Sequence, residues 1–177
     1  MAFCGRLDIY YKGLDLLLES FAQYVSKNGT GVLWLIGDSD DRKKLEQKVI
    51  AYGIANRVIF YGAKYGEEKL NLIANMDVFV HPSRSEGSPT AVLEAAALAR
   101  PLLVSTGTNV GELVSSFECG IHILQLDIAS ISKALMDFEN LYCQNKLEQL
   151  GVNAAKMVRE NFDWIKIAQQ LSAVYEF

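Results

Sequence analysis

The chain has 177 residues, half of them apolar, with a formal charge of −4 and a pI near 5.2. That length suits one globular domain with a sizeable core, and the acidic balance offers no basic surface for nucleic acid. No apolar run approaches the roughly 18 residues that a membrane span needs, and the three cysteines (Cys4, Cys119, Cys143) are too few and too scattered for a disulfide framework or a zinc site, which fits a reducing cytoplasm.

In chain order, short apolar runs alternate with longer amphipathic ones. "AFCG" (2–5) reads as a strand, and "KGLDLLLESFAQYVSK" (12–27) as a helix with Leu14, Leu17, Leu18, Phe21 and Val25 on one face. "GVLWLIG" (31–37) is a strand apolar on both sides, the mark of a buried parallel sheet. A helix over 40–53 ends at Gly53, a residue suited to the left-handed position past a helix end. Then come strand 57–62, helix 66–76, strand 77–82, a helix starting near 88, strand 101–106, a short helix near 110–116, strand 119–124, and helices over 128–142, 144–160 and 163–176. No linker, repeat or low-complexity tract interrupts this order, so 1–177 is expected to be one domain. Repeated βα units with two-sided strands predict a doubly wound α/β domain: a mostly parallel sheet with helices on both faces. Ligands in such folds sit beyond the carboxyl ends of the strands. The loops 5–13, 37–41 and 81–89 all follow strands and should share that rim.

The stretch "RSEGSPTAVLEAAALARP" (84–101) carries the densest chemistry. Ser88 is a good N-cap and Pro89 a good first helical residue, leaving the amides of Thr90 and Ala91 to point out of a helix end and attract an anion. Gly87 would let the chain turn and a ligand approach the backbone. Glu94 lies five residues past Pro89, roughly 7.5 Å along the axis, which suits a sugar next to a phosphate at the helix end. A carboxylate there accepts from both hydroxyls of a ribose diol, and Glu86, outside the helix, could serve a second sugar. The plain alternative is that Glu94 is a solvated helix position and Glu86 a loop acid. Arg6 and Lys12, around the first strand-to-helix loop, supply a forked guanidinium and a point cation, the charge a pyrophosphate needs. The alternative is two surface bases, although a cation at a helix start opposes the dipole.

Other features have bland explanations. "DSDD" (38–41) contains a D-x-D, but capping by Asp38 or Ser39 with acids in the first turn accounts for it, so no metal is expected. His81 ends a strand near the proposed cleft and is either a ligand contact or a structural histidine. His122 is expected in the core, Trp34 and Trp164 in core and helix packing, and Tyr10 and Tyr11 either at a ligand or on the surface. Neither G-x-G-x-x-G nor a Walker sequence is present.

Taken together, "GRL" with "KGLDLLLESF", "LWLIGD", "RVIFYG", "MDVFVHPSRSEGSPTAVLEA", "GTNVGELV" and the tail "FDWIKIAQQLSAVYE" resemble the C-terminal half of the retaining GT-B glycosyltransferases, the glycosyl transferases group 1 family. The likeness runs from about residue 3 to 177. It implies a Rossmann-like, nucleotide-sugar-binding half of a GT-B fold, taking a UDP-sugar or GDP-sugar and transferring the sugar with retention to a glycan, lipid or other acceptor, with no required cofactor. At matching positions it implies that Arg6 and Lys12 hold the diphosphate, Glu86 binds the transferred sugar at the reacting centre, Glu94 holds the ribose, the amides of Ser88, Thr90 and Ala91 add phosphate contacts, and the base lies near Gly37, Tyr61 and Gly62. It further implies an N-terminal acceptor domain absent from this chain, inactivity of this part alone, and a cytoplasmic enzyme of polysaccharide biosynthesis that meets the inner membrane surface through that domain. The alternatives are a non-catalytic nucleotide or sugar-nucleotide binding module, or a flavodoxin-like interaction domain. Three positions depart from the family pattern: "EAAA" stands for the usual "EAMA", Ala99 stands where Gly is usual, and Thr108-Asn109 stands where a Gly-Gly pair is common.

Overall fold

The computed structural model describes residues 1–175. Six strands, β1 (Ala2–Cys4), β2 (Leu33–Ile36), β3 (Val58–Gly62), β4 (Phe79–His81), β5 (Leu102–Ser105) and β6 (Gly120–Ile123), form one sheet in the order β3-β2-β1-β4-β5-β6, with every described pairing parallel. All six lie inside the runs expected from the sequence, and the doubly wound arrangement follows from that order. The chain builds outward from β1 in one direction, returns, and builds outward in the other. Register is regular at the centre, with Ala2 beside Trp34, Phe3 beside Leu35 and Cys4 beside Ile36.

Alternation along each strand divides its side chains between two cores. Phe3, Leu33, Leu35, Val80 and Leu103 face one side, where α1 (Leu14–Ser26), α2 (Arg42–Ala51) and α6 (Ile128–Cys143) cover them with Leu17, Phe21, Leu45, Ile131, Leu135 and Phe138. Ala2, Ile36, Phe79, Leu102 and Val104 face the other, under α3 (Gly66–Ala74), α4 (Thr90–Ala97), α5 (Gly111–Ser116) and α7 (Leu147–Asn161), which contribute Ile73, Val92, Ala95, Val114, Ala154 and Met157. This burial on both faces is why the strands read as continuous apolar runs. The last helix, α8 (Trp164–Tyr175), differs. Trp164 is 80% exposed and Ile165 71%, so the expectation that Trp164 packs in the interior is corrected, whereas Trp34 does pack, edge-on against Tyr61. No helix of the described residues is long and apolar enough to cross a membrane.

Two of the three departures from the family pattern have a backbone meaning. Ala99 and Asn109 both take left-handed conformations, with φ of 56° and 61°. Ala99 follows the end of α4, where Ala99 N–H donates to Ala96 O and Arg100 N–H to Ala95 O, a helix stop that glycine fits best. A side chain in that region costs about 1–2 kcal/mol. Ala99→Gly should therefore raise stability by about 1 kcal/mol in a urea melt; an unchanged midpoint would show the conformation to be unstrained.

Candidate donor-binding cleft

The three expected loops do meet at the carboxyl rim, and hydrogen bonds between them hold the rim together. Leu7 N–H donates to Asp38 O at 3.4 Å and Ile9 N–H to Asp41 Oδ2 at 3.3 Å, while Ser39 Oγ donates to Leu7 O at 2.8 Å. From the other side, Arg84 N–H donates to Tyr11 O at 2.8 Å, and the Arg84 guanidinium grips Asp15 through two bonds of 2.7 and 2.8 Å while lying 4.4 Å above the Tyr10 ring. Arg84 was not anticipated; an arginine in a loop acquires its meaning only when an acid 69 residues earlier arrives beside it.

These contacts revise the local readings. The N-cap position of α2 is Asp41, not Asp38 or Ser39, and no acid occupies its first turn. The polar groups of "DSDD" instead fasten the neighbouring loop, with Asp38 pairing Arg42 and Asp41 pairing Lys44. Helix α4 starts at Thr90 with Pro89 in the cap position, so Ser88 is not the side-chain cap, and its carbonyl accepts from Thr90 N–H at 2.9 Å. The Thr90 amide is therefore not free, whereas Ala91 N–H has no backbone acceptor among the described residues. Gly87 lies in a bend with open space around it but keeps an ordinary φ, so the turn there does not depend on glycine's conformational freedom.

Between the ends of β1, β2 and β3 and the start of α4 lies a cleft of about 450 Å³. Its walls include Gly5, Arg6, Gly37, Thr90, Ala91 and Glu94 from the expected set, and Ala63, Lys64, Tyr65 and Lys69, which were missed. Ser88, Tyr61 and Gly62 stand outside that lining: Tyr61 packs against Trp34, and Gly62 O accepts from Gly37 N–H at 2.9 Å. Arg6 is exposed, with only a 3.4 Å contact to Asp8. Glu94 Oε1 accepts from Lys69 Nζ at 2.7 Å, with both groups partly open to the cleft. The single lysine of α3 held no signal for this pair, because its partner lies on another helix. Cys4 lines the floor, where burial pushes its thiol up to about 11 and keeps it an unreactive, protonated wall.

Beside the cleft, Glu86 gathers a second cluster. Its Oε1 accepts from Lys12 Nζ at 2.6 Å and from His81 Nε2 at 2.7 Å. Lys12 is thus not an unmatched base at a helix start: its charge is answered by an acid 74 residues later, and α1 begins after Gly13. Burial pushes the Glu86 carboxyl up, yet the bonds from His81 and Lys12 outweigh it and hold the carboxyl down at about 2. Burial drives the His81 pKa below its ordinary value despite the favourable pull of Glu86, so the ring is neutral near pH 7. Asn109 donates its Nδ2 to Glu86 O at 2.7 Å from the left-handed turn where the family often has glycine. His122, expected in the core, is only half-buried on β6 and lies 3.1 Å from Thr106 Oγ1. Tyr10 and Tyr11 are both exposed. Glu112 opens α5 beside a separate hollow shared with His122.

Comparison with known proteins places this arrangement. The chain is 28% identical to the uncharacterized glycosyltransferase MJ1607 of Methanocaldococcus jannaschii, over 98% of its own length and 44% of that protein. It is 26% identical to the capsular polysaccharide biosynthesis glycosyltransferase CapM of Staphylococcus aureus, over 99% of its own length and 45% of CapM. The chain thus spans less than half the length of these relatives. Among solved structures, Anabaena Alr3699/HepE in complex with UDP superposes with a TM-score of 0.84 at 23% identity, over 98% of this chain and 47% of that one, which shows the shared Rossmann-like GT-B architecture. The glycosyl transferases group 1 family description matches residues 1–157, and the chain belongs to that family.

Proposed function

We propose that the chain is the donor-binding, C-terminal half of a retaining glycosyltransferase that takes a UDP-sugar. The observation that carries this reading is the pairing of a cleft at the sheet's switch point with two carboxylates, Glu94 within it and Glu86 beside it, each already paired with a lysine. The structure of HepE in complex with UDP-glucose, whose fold this chain shares, supports the choice of donor class. CapM, by its name a capsular polysaccharide biosynthesis enzyme, supports a role in polysaccharide assembly.

In this reading the ribose diol donates to Glu94, whose orientation Lys69 fixes. The base lies along Gly37 and the 63–65 segment, with Tyr61 and Gly62 behind it. The diphosphate meets Arg6, the Ala91 amide at the start of α4 and the charge of Lys12, with Ser88 and Thr90 shaping the entry. The transferred sugar donates a hydroxyl to Glu86. As the sugar–phosphate bond weakens, negative charge grows on the departing phosphate. Arg6, Lys12 and the helix start supply the positive charge that stabilises it, Arg6 by turning from its loose contact with Asp8. Glu86 stays ionised, so it serves as an acceptor and an electrostatic partner of the sugar and not as a proton donor.

A calorimetric panel of UDP, GDP, ADP and CMP on the purified chain tests the reading. Binding of UDP above the others is expected, weakened about tenfold or more in Glu94→Ala, because an ionic hydrogen bond contributes roughly 1.5–3 kcal/mol. Arg6→Ala should weaken it less, since that side chain is 69% exposed. Equal, Glu94-independent binding of all four would sink the assignment. The competing reading, a non-catalytic nucleotide-binding module, predicts the same UDP binding but no gain from an attached sugar.

A further inference from the structure

His81 sits at the end of β4 with its side chain 3% exposed. Its ring is stacked between two others, with centroids 5.1 Å from Phe3 at 13° and 5.9 Å from Phe79 at 10°. One edge presents Nε2 to Glu86 Oε1; on the other, Nδ1 is buried and has no hydrogen-bond partner among the described residues. A neutral imidazole has one N–H to place. On Nδ1 it would be a buried donor with no acceptor, and the bare Nε2 lone pair would face a carboxylate. On Nε2 it donates to Glu86, and only an unused lone pair is left behind. The geometry therefore fixes the tautomer as Nε2–H.

A purely structural histidine does not account for these facts. Two phenylalanines stacked on a buried ring would accept a third, and a phenylalanine would bury no polar nitrogen. What histidine adds at this place is a donor that cannot swing away. With Lys12 and His81 both on Oε1, and Asn109 on the backbone carbonyl, Glu86 is held from three directions. Both of these side-chain bonds fall on Oε1; the Ser83 hydroxyl also stands near the carboxylate and helps hold it ionised, while its own proton goes to the backbone carbonyls of Tyr11 and Ser85.

We propose that His81 is a positioning residue: its Nε2–H, on a ring clamped between Phe3 and Phe79, fixes Glu86 in one orientation with Oε1 occupied and Oε2 presented to a hydroxyl of the transferred sugar. The sugar half of this statement rests on the donor-site reading above; the tautomer and the clamp do not.

The test has two arms on the 177-residue chain. Ring ¹⁵N spectra of wild type at pH 7 should show His81 as the neutral Nε2–H form, and a proton on Nδ1 overturns the proposal outright. Calorimetry then compares UDP with UDP-glucose in wild type, His81→Phe and His81→Gln. The phenylalanine keeps the stack and removes the donor; the glutamine amide restores a donor near the same place. Expected are UDP affinity within about twofold of wild type in both variants, a loss of about tenfold for UDP-glucose in His81→Phe, and recovery of most of it in His81→Gln. Equal losses for both ligands, or no loss for either, overturn the positioning role. If wild type binds neither probe, the donor-site reading fails and takes the sugar half of the proposal with it, while the ring spectra still decide the clamp. If His81→Phe does not fold, His81→Gln must retain the UDP-glucose preference for the proposal to stand.

Discussion

Gly37→Ala is expected to lower the chain's stability by roughly 4 kcal/mol, which lowers the melting temperature by about 10 °C for a chain of this size. Gly37 follows β2 with a φ of 146°, a region that side chains rarely enter. A methyl group added there would lie 1.8 Å from Gly5 O and 2.9 Å from Gly5 C, both backbone atoms. Neither can rotate aside. Gly5 N–H donates to Ile36 O at 2.9 Å, and Gly37 N–H donates to Gly62 O at 2.9 Å, so moving either strand end breaks a bond at the mouth of the cleft. The matched control is Gly87→Ala, where nothing lies within 4 Å and φ is ordinary, and where stability should stay within about 0.5 kcal/mol of wild type. Urea melts followed by circular dichroism compare the two. Equal midpoints would mean that β1 and β2 do not meet in this way.

The second large effect is a loss of stability in acid that depends on Glu86. In the unfolded chain this carboxyl has its ordinary value of 4.5; in the folded chain it is held at about 2. The folded state binds the proton less readily, so the stabilisation is complete above about pH 4.5 and disappears as pH falls toward about 2. Its size is about 3 kcal/mol, from 1.36 kcal/mol per pH unit, for a side chain only 8% exposed. His81 adds to the same trend at higher pH, because its folded pKa is lowered from 6.5 and the unfolded chain takes up the proton first. The groups facing Glu86 are Lys12 from the first loop, the His81 ring and the Ser83 hydroxyl. The difference in unfolding free energy between wild type and Glu86→Gln should be about 3 kcal/mol at pH 7 and shrink toward zero near pH 2. A difference that stays constant with pH would mean that Glu86 is not ionised against Lys12 and His81.

What the sequence made legible follows from the range over which each signal acts. Strands and helices depend on neighbours within a few positions, so the two-sided run "GVLWLIG" and the Leu14-Leu17-Leu18-Phe21 spacing place their elements well. The meeting of three loops at one rim follows from topology alone. Helix starts were less legible, because the polar groups at Ser39 and Asp41 also serve Leu7 and Ile9 of another loop and neither side chain caps a backbone amide of α2. The pairs that shape the cleft and the cluster beside it, Lys12 with Glu86 and Lys69 with Glu94, join different elements, and no local pattern foretells which lysine reaches which acid. Trp164 was misjudged for a related reason: an amphipathic period shows that a helix has an apolar face, not what covers it.

The position of β1 between β2 and β4 also sets an order of events. Its following loop is tied to residues 38–41 on one side and to residues 83–84 on the other. As the chain emerges from the ribosome, the first set of ties can form early, but the second must wait until β4 has been made and has docked. The cleft is therefore among the later things to exist, because it needs segments from both sides of β1. A nucleotide that fits it recognises only chains in which both have met, so ligand added during refolding would act as a clamp on the finished sheet and raise the yield of native protein by mass action.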